Sequence, residues 1–173
     1  MSATTLPPTG RIWDWLSQVP DPEIPVISLT DLGIIRDVQW QGDTLEVTVT
    51  PTYSGCPATG IINLDIETAL RAHGVQNLEL KRQLAPAWTT DWITAEGREK
   101  LRAYGIAPPV DGTAADGVLA GRVSRLMGNN LTIQCPCCGS TKTEKVSQFG
   151  STPCKASYRC TDCLEPFDYF KCI

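Results

Sequence analysis

The spacing of apolar and polar side chains predicts a mixed helix-and-strand N-terminal region. From Arg11 to Val19, the residues Ile12, Trp13, Leu16 and Val19 share one face of a helix, which Pro20 stops. Residues 34–40 read as a strand. Residues 44–50 read as a better one, because Leu45, Val47 and Val49 alternate with Thr44, Glu46, Thr48 and Thr50, the period of two that marks a half-buried strand. Gln41-Gly42-Asp43 joins the two as a short hairpin loop. A third strand is predicted over 77–84, with Leu78, Leu80 and Leu84 on one face. Between strands two and three, Ile62, Ile66, Ala69 and Leu70 share a face of a helix running roughly from Pro57 to His73, and Gly74 is suited to the position after its C-cap. A last helix is predicted from about Thr94 to Tyr104, ending at Gly105. The sum is a small α+β domain: a three-stranded sheet with helices on one side. One stretch fits neither pattern. Asp21-Pro22-Glu23-Ile24-Pro25 carries two prolines without an N–H, so it is a shaped turn that displays Asp21 and Glu23.

Length and charge narrow the picture. A chain of 173 residues holds one domain or two small ones, and a hydrophobic fraction of 42% is enough for a packed core. No run of about 18 apolar residues could span a membrane, and Met1 to Arg11 lacks the pattern of a secretory signal. The net charge of −4 argues against a nucleic-acid partner. A single histidine, His73, excludes sites that need two or more from this chain: a di-iron Glu-x-x-His pair, a Rieske centre, or a catalytic zinc on two or three histidines. Neither GxGxxG nor GxxxxGK[ST] occurs, so there is no dinucleotide fingerprint and no P-loop.

The cysteines divide the chain. Of the eight, only Cys56 precedes residue 135; the others are Cys135, Cys137, Cys138, Cys154, Cys160, Cys163 and Cys172. Without a secretion signal, paired cysteines read as metal ligands rather than disulfides. The Pro- and Gly-rich stretch 107–121 marks a boundary. The expected organisation is a domain over 1–107, a linker over 108–129 and a small metal domain over 130–173.

Cys135-Pro-Cys-Cys138-Gly139 and Cys160-Thr-Asp-Cys163 are two Cys-x2-Cys units separated by 21 residues, one beyond the usual zinc spacing. Four thiolates make a closed tetrahedral site, which is structural. A segment of this size cannot bury enough core alone, so the metal would contribute folding free energy on the order of 10 kcal/mol. Flanking segments at 131–133, Tyr158 and 167–170 suggest a β-ribbon around a structural zinc, with zinc favoured over iron. Cys137, Cys154 and Cys172 are left over; Cys154-x5-Cys160-x2-Cys163 misses the plant ferredoxin spacing by one residue.

Cys56 lies at the predicted strand-to-helix junction. Pro57 suits the first helical position, which would make Cys56 the N-cap, facing free N–H groups and the positive end of the helix dipole. The competing reading is a small buried hydrophobe. Cys56 has no Cys-x-x-Cys partner, since Thr59 stands there, no phosphatase Cys-x5-Arg loop, since Ile62 stands there, and no Cys–His dyad, since His73 falls ~25 Å along the same helix at ~1.5 Å per residue. Cys56 is then a lone ligand or acceptor, and no catalytic residue is assigned. If it holds iron or a cluster, further ligands come from Glu23 or Asp21, from a second copy in a homodimer, or from a partner.

Asp21-Pro-Glu-Ile-Pro25, Leu32-Gly-Ile-Ile35 and Pro51-Thr-Tyr-Ser-Gly-Cys-Pro-Ala58 together resemble the SufT-like family of iron–sulfur cluster assembly domains over roughly residues 11–105. With Ala87-Trp-Thr-Thr-Asp-Trp92, Gly105-Ile-Ala-Pro-Pro109, the two Cys-x2-Cys units, Phe149-Gly-Ser-Thr-Pro-Cys-Lys155 and Glu165-Pro-Phe167, the whole chain resembles the PaaD family encoded with the phenylacetyl-CoA epoxidase. The resemblance implies a bacterial cytoplasmic accessory component of that oxygenase and reductase system, with its other subunits as partners. It implies a role in iron–sulfur or metal-centre maturation, with Cys56 as the motif cysteine and Glu23 as its acidic partner, and a transient Fe or iron–sulfur cargo. It also implies Cys135, Cys138, Cys160 and Cys163 as zinc-ribbon ligands. Cys137 stands where a basic residue is expected and could compete with Cys138. The alternative is an electron-transfer or structural subunit of the complex.

Overall fold

The computed structural model describes residues 6–53, 55–110 and 132–171. The chain divides into two compact units, Met1–Trp88 and Thr89–Ile173. Among the described residues no helix is long and apolar enough to cross a membrane.

In the first unit, α1 (Thr9–Leu16) is followed by β1 (Ile35–Gln41), β2 (Thr44–Val49), α2 (Thr59–Ala72) and β3 (Leu78–Arg82). The sheet order is β1-β2-β3. β1 and β2 form an antiparallel hairpin closed by Gly42 and Asp43. Gly42 has φ +64°, which suits the first central position of a type II′ turn. β3 pairs parallel to β2 after the α2 crossover. Leu45, Val47 and Val49 on β2, Ile12 and Leu16 on α1, and Ile62, Ile66 and Leu70 on α2 are buried together as the core. α1 is shorter than its apolar pattern, because the N–H groups of Gln18 and Val19 turn back to Trp15 and Leu16 in a tighter bend.

The end of α2 shows how local chemistry sets a boundary. His73 is the C-cap residue, and Gly74 follows at φ +90°. The Gly74 N–H donates to the Arg71 carbonyl and the Val75 N–H to the Leu70 carbonyl, the two bonds of a Schellman motif. Val75 and Leu70, its usual apolar pair, are both buried. The His73 ring stacks on Trp15, with centroids 4.2 Å apart.

The open face of the sheet is polar. Glu46 is buried beneath its neighbours, where it accepts a hydrogen bond from Gln39 at 3.0 Å and pairs with Lys81. The Lys81 hydrogen bond, then that of Gln39, holds the Glu46 carboxyl below its ordinary range, and Glu46 in turn holds Lys81 above its own. A lowered carboxylate contributes stability above its unfolded pKa and loses it as pH falls through the folded value; a raised lysine contributes below its unfolded pKa and loses it as pH rises through the folded value. The pair therefore stabilises across neutral pH and weakens on both flanks. Lys81→Met is expected to lower the urea midpoint at pH 7 more than Glu46→Gln does, because it leaves a covered carboxylate without its cation. Equal midpoints for the two variants would count against this pairing.

The second unit begins earlier than residue 108. It contains a 3-10 turn at Thr90–Trp92, α3 (Ala95–Ala103), β4 (Ile106–Ala107), β5 (Thr143–Ser147), β6 (Lys155–Cys160) and β7 (Pro166–Phe170). The sheet order is β4-β7-β6-β5, with β4 parallel to β7. The compact units divide at 88/89, whereas the sequence expectation places a domain boundary after 107. The short β4 pairs with β7 from far along the chain, and Arg98 ties the Thr90 and Pro109 carbonyls together on the same side of that division. The predicted linker at 108–129 falls almost wholly on residues outside the described ones, as does Cys172. The expected strand before the first knuckle is also corrected. Residues 132–133 form none, and the buried Ile133 instead accepts a hydrogen bond from the Thr143 hydroxyl through its carbonyl. The core of this unit joins Ala107, Ile133, Ala156, Tyr158, Phe167 and Tyr169 with the thiols of Cys135 and Cys160.

Candidate metal centre and thiol site

The thiols of Cys135, Cys138, Cys160 and Cys163 lie within 4.8 Å of one another, and among the described residues they are the only group of three or more such donors placed to hold one ion. Two of the sulfur pairs are 3.8 Å (Cys135–Cys163) and 3.6 Å (Cys138–Cys160) apart. That is too long for a disulfide. It matches the ~3.8 Å edge of a tetrahedron built on Zn–S bonds of ~2.3 Å. The donor set and spacing therefore fit zinc.

Backbone turns aim the sulfurs. In the first knuckle the Gly139 N–H donates to the Cys135 carbonyl, and Gly139 has φ +75°. In the second, the equivalent residue after the last cysteine is Leu164, at φ +65°. The sequence shows the need for a left-handed residue only in the first knuckle. A leucine there carries the Cβ clash that glycine avoids. Leu164→Gly is expected to stabilise the metal-loaded second unit by roughly 0.5–1 kcal/mol, the strain relieved less the glycine's greater unfolded-state entropy. Thermal melting beside Leu164→Ala, which keeps the clash, checks it; equal melting temperatures for the two would contradict it.

Side chains then tie the knuckles to each other. Asp162 accepts from the Ser140 hydroxyl at 2.6 Å and from the Lys142 ammonium at 3.2 Å. These bonds, Ser140 first, hold its carboxyl below the usual range. The Thr161 N–H and hydroxyl both donate to the Lys142 carbonyl.

Four thiols in so small a space do not ionise alike. The Cys163 N–H outweighs burial and, with the Asp162 N–H and neighbouring thiols, holds Cys160 down to about 7. At Cys163 the Glu165 N–H favours the thiolate, but burial and the thiols of Cys138, Cys160 and Cys135 push it up to about 12. A cation supplies the charge that lets all four ionise together. Cys137 is exposed and stands outside the four-sulfur group, its thiol pushed up first by burial and then by Cys135. The geometry thus groups Cys138, and not Cys137, with the other three sulfurs. Cys154 is buried, 3.0 Å from the Thr152 hydroxyl.

In the first unit, Cys56 is half-buried. It is not the N-cap: α2 starts at Thr59, and the N-cap residue is Ala58. The Cys56 carbonyl accepts from the Thr59 N–H at 3.3 Å and from its hydroxyl at 2.9 Å, while the Cys56 N–H donates to Tyr53. Pro57 is therefore the second residue of a turn over 56–59, a role its fixed φ fits as well as it fits a helix start. Two successive turns pin the backbone on either side of the thiol.

The Asp-Pro-Glu turn has a different division of labour from the one its sequence suggests. Asp21 is buried, and its Oδ1 accepts from the N–H groups of Glu23 (2.9 Å) and Ile24 (2.8 Å). Asp21 shapes the turn, and Glu23 is left half-buried beside it. Because Ile35 pairs with Val49 and Val49 with Arg82, the segments before β1, after β2 and after β3 leave the sheet at the same end. Trp88 reinforces that end by donating its indole N–H to the Leu32 carbonyl at 2.8 Å. Asp21, Glu23 and Cys56 do not form a three-donor metal group.

Comparison with known proteins covers both units. Residues 10–77 match the model of an iron–sulfur cluster assembly protein family, and residues 120–171 match that of the PaaD zinc beta ribbon domain. The chain is 49% identical to the D component of the "Putative 1,2-phenylacetyl-CoA epoxidase" of Escherichia coli K12, over 99% of this chain and 98% of that protein. It is 37% identical to the Fe-S protein maturation auxiliary factor YitW of Bacillus subtilis, over 44% of this chain and 76% of that one. Among solved structures, a DUF59 domain from Bacillus anthracis is 25% identical with a TM-score of 0.49, covering 53% of this chain and 89% of its own. The chain belongs to the PaaD family of phenylacetyl-CoA epoxidase components, in which an iron–sulfur cluster assembly domain precedes a zinc ribbon.

Proposed function

We propose that this chain is a cytoplasmic maturation factor of the multicomponent phenylacetyl-CoA epoxidase system, installing or repairing a metal centre, iron–sulfur or di-iron, in the oxygenase. Cys56 is the transient ligand for the iron cargo, Glu23 its acidic neighbour, and Asp21 the residue that holds Glu23 in its turn. The four knuckle cysteines hold a structural zinc.

The observation that carries this reading is a half-buried thiol on a doubly pinned loop just after β2, without enough donors of its own to keep a metal. Such a site can accept a metal and release it, because the remaining ligands must come from the donor or the recipient. The kinship with an Fe-S protein maturation auxiliary factor supports the same reading. The test is Cys56→Ala. The variant is expected to fold and keep its zinc, while epoxidase produced beside it carries less iron than epoxidase produced beside the wild type. Full iron loading and activity in the Cys56→Ala background would overturn the proposal.

A further inference from the structure

The tip of the second unit carries a feature that neither the metal centre nor the Cys56 loop uses. β5 pairs with β6, and its register slips between Lys145 and Ser147. The bulge leaves Val146 66% exposed, and Phe149 just beyond is 68% exposed. Two ammonium groups converge beside them on one neutral residue: Lys145 donates to the Gln148 Oε1 at 3.0 Å, and Lys171 donates to the Gln148 carbonyl at 3.1 Å. The Lys171 ammonium also lies 4.7 Å from the centre of the Phe149 ring. Among the described residues neither lysine forms an ion pair, whereas Lys142 and Lys155 are paired with Asp162 and Asp168. Burial makes the Lys171 ammonium harder to keep; the Cys154 thiol opposes this, and the charge of Lys145 adds to it.

Two like charges brought together, neither paired with a carboxylate among the described residues, make a positively charged spot suited to an external anion on a protein of net charge −4. Exposed Val146 and Phe149 beside them suit an anion that comes on an apolar support. The edge itself is unsuited to strand addition, because a bulge and a lysine are the devices that blunt β-edges. Recognition here is through side chains. Resting on the functional reading above, we infer that this tip docks the chain onto another component of the epoxidase, at a surface presenting a carboxylate next to an apolar pocket. The carboxylate enters between Lys145 and Lys171, and Phe149 with Val146 fills the pocket.

The test is calorimetric binding of the full chain to epoxidase subunits assembled without it, for wild type, Lys145→Glu, Phe149→Ser and Cys56→Ala, with a single-stranded oligonucleotide as a second probe. Lys145 and Phe149 are at the surface, and unchanged zinc content and circular dichroism show that the variants are folded. Wild type and Cys56→Ala are expected to bind the subunits equally, and less tightly as salt rises. Lys145→Glu and Phe149→Ser are each expected to bind about tenfold more weakly. Subunit binding that neither tip variant weakens would overturn this inference and leave the maturation role standing. Failure of the wild type to bind the subunits would overturn both. Tip-dependent binding of the oligonucleotide in preference to the subunits would replace the protein partner with a nucleic acid and overturn this inference.

Discussion

Cys160→Ser is expected to empty the metal centre and unfold the second unit. Cys160 is fully buried, its sulfur belongs both to the four-thiol group and to the apolar core, and its N–H is bonded to the Glu165 carbonyl. Serine offers a poor soft-metal ligand and leaves a hydroxyl against Tyr158 and Phe167. The metal's contribution, on the order of 10 kcal/mol, is comparable with the whole stability of a typical domain. The ribbon should therefore lose its structure rather than soften. Metal analysis and NMR dispersion of the wild type, Cys160→Ser and Cys137→Ser check it: the first and last keep metal and dispersed ribbon resonances, and Cys160→Ser loses both. A strong chelator should reproduce the Cys160→Ser spectrum in the wild type. So should mild acid, because protons compete with the metal for thiolates. A folded, dispersed ribbon in metal-free Cys160→Ser would show that the apolar core suffices alone.

Leu70→Ala is expected to be nearly as damaging to the first unit. Leu70 is fully buried on α2, and its carbonyl accepts the Val75 N–H that closes the Schellman motif. The truncation leaves a cavity beneath α2 and removes the apolar partner of Val75. The expected cost is about 3 kcal/mol, which in a unit of this size lowers the melting temperature by roughly 15 °C. Zinc content should not change, since no ligand lies in Met1–Trp88. Circular dichroism melting beside metal analysis checks both parts. A melting temperature within a few degrees of wild type would mean that α2 can collapse onto the void, and zinc loss would mean that the two units fold as one.

The two halves of the candidate chemistry were unequally legible. The Cys-x2-Cys units could be read directly, because chelation by neighbouring side chains is a local property of spacing. The choice of Cys138 over Cys137 was not, since it depends on which sulfur the Cys135–Gly139 turn directs toward Cys160 and Cys163. Asp21 and Glu23 were visible as a proline-bounded turn. That the first carboxylate is consumed by backbone N–H groups could be suspected from the Asx-turn habit of aspartate, yet sequence reasoning treated both as donors. Pro57 misled for a physical reason: its fixed φ suits the second residue of a β-turn as well as the first of a helix. Leu164 carried no signal, because nothing in its residue type announces a left-handed backbone.

By itself the amino-acid sequence determined the elements whose causes are short-range. These are the period-two strands at 44–49 and 78–82, the stop of α2 at Gly74, the hairpin at Gly42, and the four spaced thiols. Only the tertiary structure decided which distant segments meet. It assigned 89–110 to the metal-binding unit through the pairing of Ile106–Ala107 with β7, and it brought Lys145 and Lys171 together on Gln148. Strand partners and converging charges are chosen by contacts between residues far apart in the chain. Periodicity and capping act over a few residues and carry no information about that choice.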